Sequence, residues 1–236
     1  MGRKGKIVLI LFLVFPLWYI AMKTYWFAFC HIPSDSMYPA LQKGDYIIAS
    51  LQVPGRRIYY KNNDGTLSVK RKKGYRCIKK GDIVIFNYPY TTSEEKMSFD
   101  SQTYYCKRCS ATPGEIYRWG LGNSDSVYLP KCNDVVRIDS SNYRHYKKCI
   151  EYETGKKIAI RSGKALLGDS LIQDYCFLKN YYFLCGDNQN ISYDSRLWGI
   201  LPEDFILGTA MFIYFSKDPN TNEVHWNRIF TKLNYK

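Results

Sequence analysis

Apolar and polar positions divide the chain near residue 30. Residues 7–22 (IVLILFLVFPLWYIAM) contain no charged side chain, and after Lys23 the apolar character continues to Phe29. A helix rising 1.5 Å per residue over 7–22 is about 24 Å long, short of a hydrocarbon core of about 30 Å. Continuing it through Tyr25-Trp26-Phe27-Ala28-Phe29, with Lys23 reaching towards the headgroups, makes the span sufficient. Trp18, Tyr19, Tyr25 and Trp26 then fall where amphipathic rings meet the membrane interface. We read 7–29 as an uncleaved transmembrane anchor. A cleavable signal peptide, or a lipobox ending at Cys30, needs a small residue where Phe29 stands. Arg3, Lys4 and Lys6 outweigh the charge that follows, which places 1–6 in the cytoplasm and the bulk of the chain outside it.

Beyond residue 30 the pattern changes to short strand-like runs punctuated by Gly, Pro and Asn, with no long amphipathic helix expected. Asp45–Ser50, Asp82–Phe86, Thr103–Cys109, Tyr181–Leu184 and Ile206–Phe215 read as core strands. The basic stretch 56–80 holds Asn62-Asn63-Asp64-Gly65, a turn between Ile58-Tyr59-Tyr60 and Leu67-Ser68-Val69, and reads as a protruding, solvated hairpin. Residues 117–179 have their own small strands and read as a smaller domain inserted into a catalytic domain made of 30–116 and 180–236.

Composition adds a compartment and a class of partner. The chain is 46% hydrophobic with 22 tyrosines and 12 phenylalanines, which suits pleated sheets. A net charge of +13 implies anionic partners, nucleic acid or an anionic membrane surface. The anchor selects membrane lipid, so no nucleic-acid partner is expected, and the chain reads as a monomer. Its 8 cysteines are too few for a disulfide scaffold, though an extracytoplasmic domain allows a bridge, and Cys132–Cys149 is the pairing favoured. Cys106 and Cys109 look like a metal or redox pair, but on a strand i and i+3 point to opposite faces. They read as two small apolar residues.

The candidate chemistry begins at Ile32-Pro33-Ser34-Asp35-Ser36-Met37-Tyr38-Pro39, directly after the anchor. A serine nucleophile needs a base and its oxyanion needs donors. His31, His145 and His225 are poorly placed to supply one, and no Gly-x-Ser-x-Gly elbow occurs. A lysine can serve if desolvation drops its pKa far below the ordinary value of about 10.4. Such a lysine belongs inside an apolar strand. Lys107 in Tyr104-Tyr105-Cys106-Lys107 meets that condition, whereas Lys43, Lys61, Lys70 and Lys79 sit in hydrophilic runs.

Four segments together resemble bacterial signal peptidase I, serine peptidase family S26, across most of the chain beyond the anchor. They are Ser34–Leu41, Lys80–Phe86, Lys107-Arg108 leading to Pro113-Gly114-Glu115, and Gly186–Gly199 followed by Pro202. They occur in the family's order. The resemblance implies a mainly β fold of twisted antiparallel sheets of the signal-peptidase/LexA-like type, with a small inserted β-rich domain and one N-terminal transmembrane helix. It implies Ser36 as nucleophile and Lys107 as general base, with the Ser34 hydroxyl and the Ser36 N–H forming an oxyanion hole. Ser192 would orient the Lys107 amine, the pairs Asp187–Arg108 and Asp194–Arg196 would brace the site, and Ile32 and Cys106 would line the substrate pocket. No metal or organic cofactor is implied. The substrates would be signal peptides of exported preproteins, cut after a small-x-small motif. Asp35, where the family often has glycine, and Gln189-Asn190, where it has a charged pair, depart from the pattern. Two other readings of the same residues are a dedicated Ser/Lys peptidase that matures a pilin or conjugation protein, and an inactive, membrane-tethered basic domain.

Overall fold

A computed structural model describes residues 12, 14–16, 18–19, 22, 25–61, 65, 67–90, 96–99 and 103–233. The expected cytoplasmic segment 1–6, much of the expected anchor and the hairpin turn at Asn62–Asp64 lie outside them. The anchor positions that are described up to Tyr25 are helical. No helix among the described residues is long and apolar enough to cross a membrane.

The chain is mainly β. Its centre is a seven-stranded sheet in the order β1-β2-β16-β5-β6-β14-β15. The strands are β1 (Phe27–His31), β2 (Asp45–Ser50), β5 (Ile83–Asn87), β6 (Tyr104–Ala111), β14 (Tyr181–Cys185), β15 (Leu201–Pro202) and β16 (Ile206–Ser216), with every neighbouring pair antiparallel. All five core strands read from the sequence are in this sheet. The sixth, β1, corrects the reading that carried a helix through Phe29. Phe27, Ala28 and Phe29 lie opposite Ser50, Ala49 and Ile48, so their backbone groups are satisfied by a sheet edge.

β5 shows why the sheet is sealed on both faces. All five of its residues are buried. Val84 and Phe86 enter the larger core, while Ile83 and Ile85 enter a smaller one with Ile32, Met37, Leu41, Ile47, Ala49 and Ile213. Alternation along one strand thus supplies two cores on opposite faces. A strand that is apolar at every position belongs at such a place.

The stretch from residue 116 carries a hairpin (β7–β8), a two-stranded sheet that pairs β9 with the distant β13, and a three-stranded sheet. These comprise β7 (Ile116–Trp119), β8 (Asp125–Tyr128), β9 (Val135–Arg137), β10 (Ile158–Arg161), β11 (Lys164–Leu167), β12 (Ser170–Ile172) and β13 (Asp174–Cys176). Against the expectation of no long helix, α1 spans Tyr143–Thr154 and buries Tyr146, Cys149 and Ile150. Its apolar stripe is written in tyrosine and cysteine, which carry weak helix propensity, so the period was hard to read. Gly155 ends it in the left-handed conformation, its N–H bonded to the Glu151 carbonyl. Val127, Leu129, Tyr146 and Ile150 belong to the same hydrophobic cluster as Val84 and Phe86.

The basic hairpin forms as β3 (Arg57–Lys61) paired with β4 (Leu67–Arg71), but its inner face is not solvated. Arg57 is 6% exposed and donates to the Asp204 and Phe205 carbonyls at 3.2 and 3.0 Å. Arg71 donates to the carbonyls of Gly55, Glu203 and Ile206. The favoured disulfide is absent, because all eight cysteines are free. Cys149 is 1% exposed inside the face of α1, while Cys132 is exposed and donates to the Leu178 carbonyl.

Candidate active site

The loop between β1 and β2 carries Ser36. Met37 is 1% exposed and Leu41 0%, so the apolar residues after Ser36 anchor the loop into the smaller core and hold the hydroxyl at the surface of the sheet. Asp35, the departure from the family pattern, accepts the Lys43 N–H at 2.8 Å and closes the loop on itself.

Lys107 lies on β6 opposite Val84 and is 2% exposed, whereas Lys43, Lys61, Lys70 and Lys79 are exposed. Its Nζ donates to Ser36 Oγ at 2.7 Å. Burial is the main cause that lowers its pKa from the ordinary lysine value, and the Arg196 charge adds to it, while Asp194 acts in the opposite direction. A buried amine with a hydroxyl as partner, and no carboxylate bonded to it, is poised to be neutral. Ser34 is exposed, with its Oγ 3.4 Å from Ser36 Oγ. Cys106 and Ile32 contribute to the smaller core, and Cys109, three residues on, is in the larger one. The pair Cys106/Cys109 therefore faces opposite ways. Among the described residues no group of His, Cys, Asp and Glu is arranged to hold a metal ion.

Residues after β14 close the site from the other side. The Asn188 N–H donates to the Ser36 carbonyl at 3.1 Å. A Cβ built on Gly186 would lie 2.2 Å from Ser192 Oγ and 2.5 Å from the Ser36 carbonyl oxygen, so only glycine lets these backbones approach. Ser192 is 7% exposed, its Oγ buried against Gly186. The expected Ser192–Lys107 bond is not made; the amine bonds Ser36 instead.

Two ion pairs flank this segment. Arg108 grips Asp187 through Nε at 2.6 Å and through Nη2, and reaches the Gly81 carbonyl with Nη1 at 2.8 Å. Asp194 is 0% exposed and accepts from Arg196 Nε and Nη2 at 2.8 Å each and from the Gly186 N–H at 2.9 Å. Burial pushes its carboxyl pKa up, but the bonds from Arg196 and Gly186 outweigh that and hold it below the usual range. Asp194 also caps α2 (Ser195–Trp198) by accepting the Arg196 N–H. Arg196 Nη2 further donates to the Gln189 carbonyl, a backbone contact that survives the change of side chain at 189.

One brace escaped sequence reasoning. Asp45, 0% exposed, accepts from Arg228 Nε at 3.0 Å and Nη2 at 2.6 Å, from Ser216 Oγ at 2.7 Å and from the Gln42 N–H at 2.9 Å. Arg228 Nη2 also donates to the Ala40 carbonyl at 3.2 Å, and Gln42 Nε2 meets His225 Nδ1 at 2.9 Å. The segment after β16 is thereby strapped to the back of the Ser36 loop. A buried acid opening an otherwise apolar strand (Asp45-Tyr46-Ile47) was the available signal, but its partner is 183 residues away.

The family model described as signal peptidase, peptidase S26, matches residues 4–215. The chain is 26% identical to signal peptidase I of Buchnera aphidicola subsp. Baizongia pistaciae, over 78% of this chain and 68% of that one. It is 24% identical to signal peptidase I of Aquifex aeolicus, over 78% and 74%. With signal peptidase I of Helicobacter pylori the identity is 26%, over 97% of this chain and 90% of the relative.

Proposed function

Because this chain belongs to the signal peptidase family, peptidase S26, and is a serine endopeptidase of the signal peptidase I type, we propose that it cleaves signal peptides from exported preproteins with Ser36 as nucleophile and Lys107 as general base. The observation that carries this is the 2.7 Å contact between Ser36 Oγ and the Nζ of a 2% exposed lysine. A neutral Lys107 takes the Ser36 proton as Oγ attacks the scissile carbonyl. The oxyanion is met by the Ser34 hydroxyl and the Ser36 N–H. The protonated amine then gives its proton to the departing amino group, and a water activated by the same lysine releases the acyl-enzyme. In this reading Ser192, 7% exposed beside Gly186, orients the amine when substrate is bound, and Asp187–Arg108 and Asp194–Arg196 hold the frame.

Ile32 and Cys106 pack in the same smaller core as Met37, the residue after Ser36, and in this reading they line the pockets for the substrate's small side chains one and three residues before the cut. Residues 7–26, ending where β1 begins, act as a single-pass anchor in the bacterial cytoplasmic membrane, with the catalytic domain on the extracytoplasmic side. Substrate and enzyme then share one bilayer, which raises their effective concentration. Residues 117–179 serve as the inserted smaller domain and the enzyme acts as a monomer. The test is incubation of the purified full chain with a model preprotein, followed by sequencing of the new N-terminus. Cleavage after Ala-x-Ala that disappears in Ser36→Ala supports the assignment. Cleavage retained in Lys107→Ala overturns the lysine base.

A further inference from the structure

The root of the basic hairpin encloses a cavity of about 360 Å³ whose wall includes Arg71, Lys73, Arg76, Asn180, Tyr182 and Glu203. Its charge is unbalanced. Arg76 is neutralised by Asp82, Nη1 to Oδ2 at 2.7 Å and Nη2 to Oδ1 at 3.0 Å. Both oxygens of Glu203, the only carboxylate in the wall among the described residues, are engaged by Asn180, from its N–H at 3.4 Å and its Nδ2 at 3.0 Å. Arg71 and Lys73 have no carboxylate bonded to them among the described residues. Arg71 spends its terminal nitrogens on backbone carbonyls, and its Nε, like Nε and Nη2 of its cross-strand neighbour Arg57, is a buried donor without an acceptor. These guanidinium charges at the wall and behind it, with the exposed Lys73, leave the pocket a surplus of positive charge that fits a phosphate oxyanion.

The cavity's position names the source of that phosphate. Tyr75, in its wall, donates its N–H to the Gln52 carbonyl, and Gln52 Nε2 in turn holds the Tyr25 carbonyl. The Leu51 N–H bonds the Trp26 carbonyl at 2.9 Å, and the Arg56 guanidinium stacks 4.2 Å from the Tyr25 ring centre. The hairpin root is therefore stitched to the point where the apolar N-terminal segment gives way to β1. We propose that this cavity binds the phosphate of an anionic phospholipid headgroup, seating the catalytic domain against the bilayer beside its anchor. This rests on the membrane-anchor reading of the apolar N-terminal segment.

The test titrates the purified full chain, in neutral detergent, with short-chain phosphatidylglycerol, short-chain phosphatidylcholine and inorganic phosphate, read by native mass spectrometry. Phosphatidylglycerol saturates one site, and reversing the charge at Lys73, exposed and outside the catalytic machinery, weakens it about tenfold in Lys73→Glu. Lys61→Glu, on the same hairpin but away from the cavity, stays within about twofold of the unaltered chain. Equal losses in the two variants, or no saturable binding, overturn the site in favour of diffuse surface attraction. Inorganic phosphate that binds as tightly as phosphatidylglycerol overturns the lipid assignment. The anchor is judged separately, by whether the chain stays with vesicles through an alkaline carbonate wash, and its failure leaves the detergent titration readable.

Discussion

The loop bearing Ser36 is held at both ends by a basic side chain, and the two contacts are opposites. At the front, Lys107 meets a hydroxyl and has no bonded carboxylate. At the back, Arg228 meets a fully buried carboxylate in a two-point grip. Burial without a counter-charge disfavours the ammonium form, and an amine that loses its proton becomes a base. Burial with a bidentate counter-charge keeps the guanidinium charged and turns it into a fastener. One element thus carries chemistry on one side and rigidity on the other, and the partner's charge decides which.

Removing the front contact has the largest effect. Ser36→Ala and Lys107→Ala each lower kcat for a preprotein in detergent by about 10⁴-fold or more, while the exposed Lys61→Ala leaves it unchanged. Breaking the back contact is milder in activity and larger in stability. Arg228→Ala leaves Asp45 charged, buried and unpaired, so denaturant unfolding loses about 3 kcal/mol. It also lowers kcat more than it raises KM, since the loop's geometry suffers and not the pocket. If Arg228→Ala costs activity but no stability, the strap is not a structural brace.

The third experiment moves the front contact towards the character of the back one. Arg196 lowers the Lys107 pKa and Asp194 raises it, so Arg196→Gln raises that pKa on both counts by unmasking the Asp194 charge. Cleavage requires the neutral amine, so the rising limb of kcat/KM against pH moves to higher pH, with a smaller change at the alkaline plateau. An unmoved limb would separate the arginine from the lysine's electrostatics. The smallest effect is on stability. A lysine whose folded pKa is lowered binds its proton more weakly than in the unfolded chain. Stability therefore rises with pH from the folded pKa up to the unfolded value of about 10.4. Lys107→Met removes that dependence and gains about 1 kcal/mol at neutral pH in denaturant melts, while remaining inactive.

Legibility differed by how local each signal was. The core strands were readable because their apolar runs are short and bounded by turns, and β5 and β14 are buried at every position. Lys107 stood out among many lysines because Tyr104, Tyr105 and Cys106 precede it on β6, and a strand interior desolvates an amine. The helix α1 was hidden by its tyrosines. Arg57 and Arg71 looked solvated because a run of basic residues gives no hint that backbone carbonyls at 203–206 will receive them. The Asp45–Arg228 grip joins residues whose separation leaves no pattern at all.

By itself, then, the amino-acid sequence determined the β-rich architecture, the family, and the candidate pair Ser36 and Lys107. Each depends on short local runs and, for the family, on the order of four such runs along the chain. The tertiary structure alone decided that Lys107 bonds Ser36 and not Ser192, that Gly186 must lack a side chain, and that Phe27–Phe29 complete a sheet edge. It also decided that the back of the nucleophile loop is fastened by Arg228. These depend on distances between segments far apart in sequence, and such distances are set only when strands take their register and the two cores close.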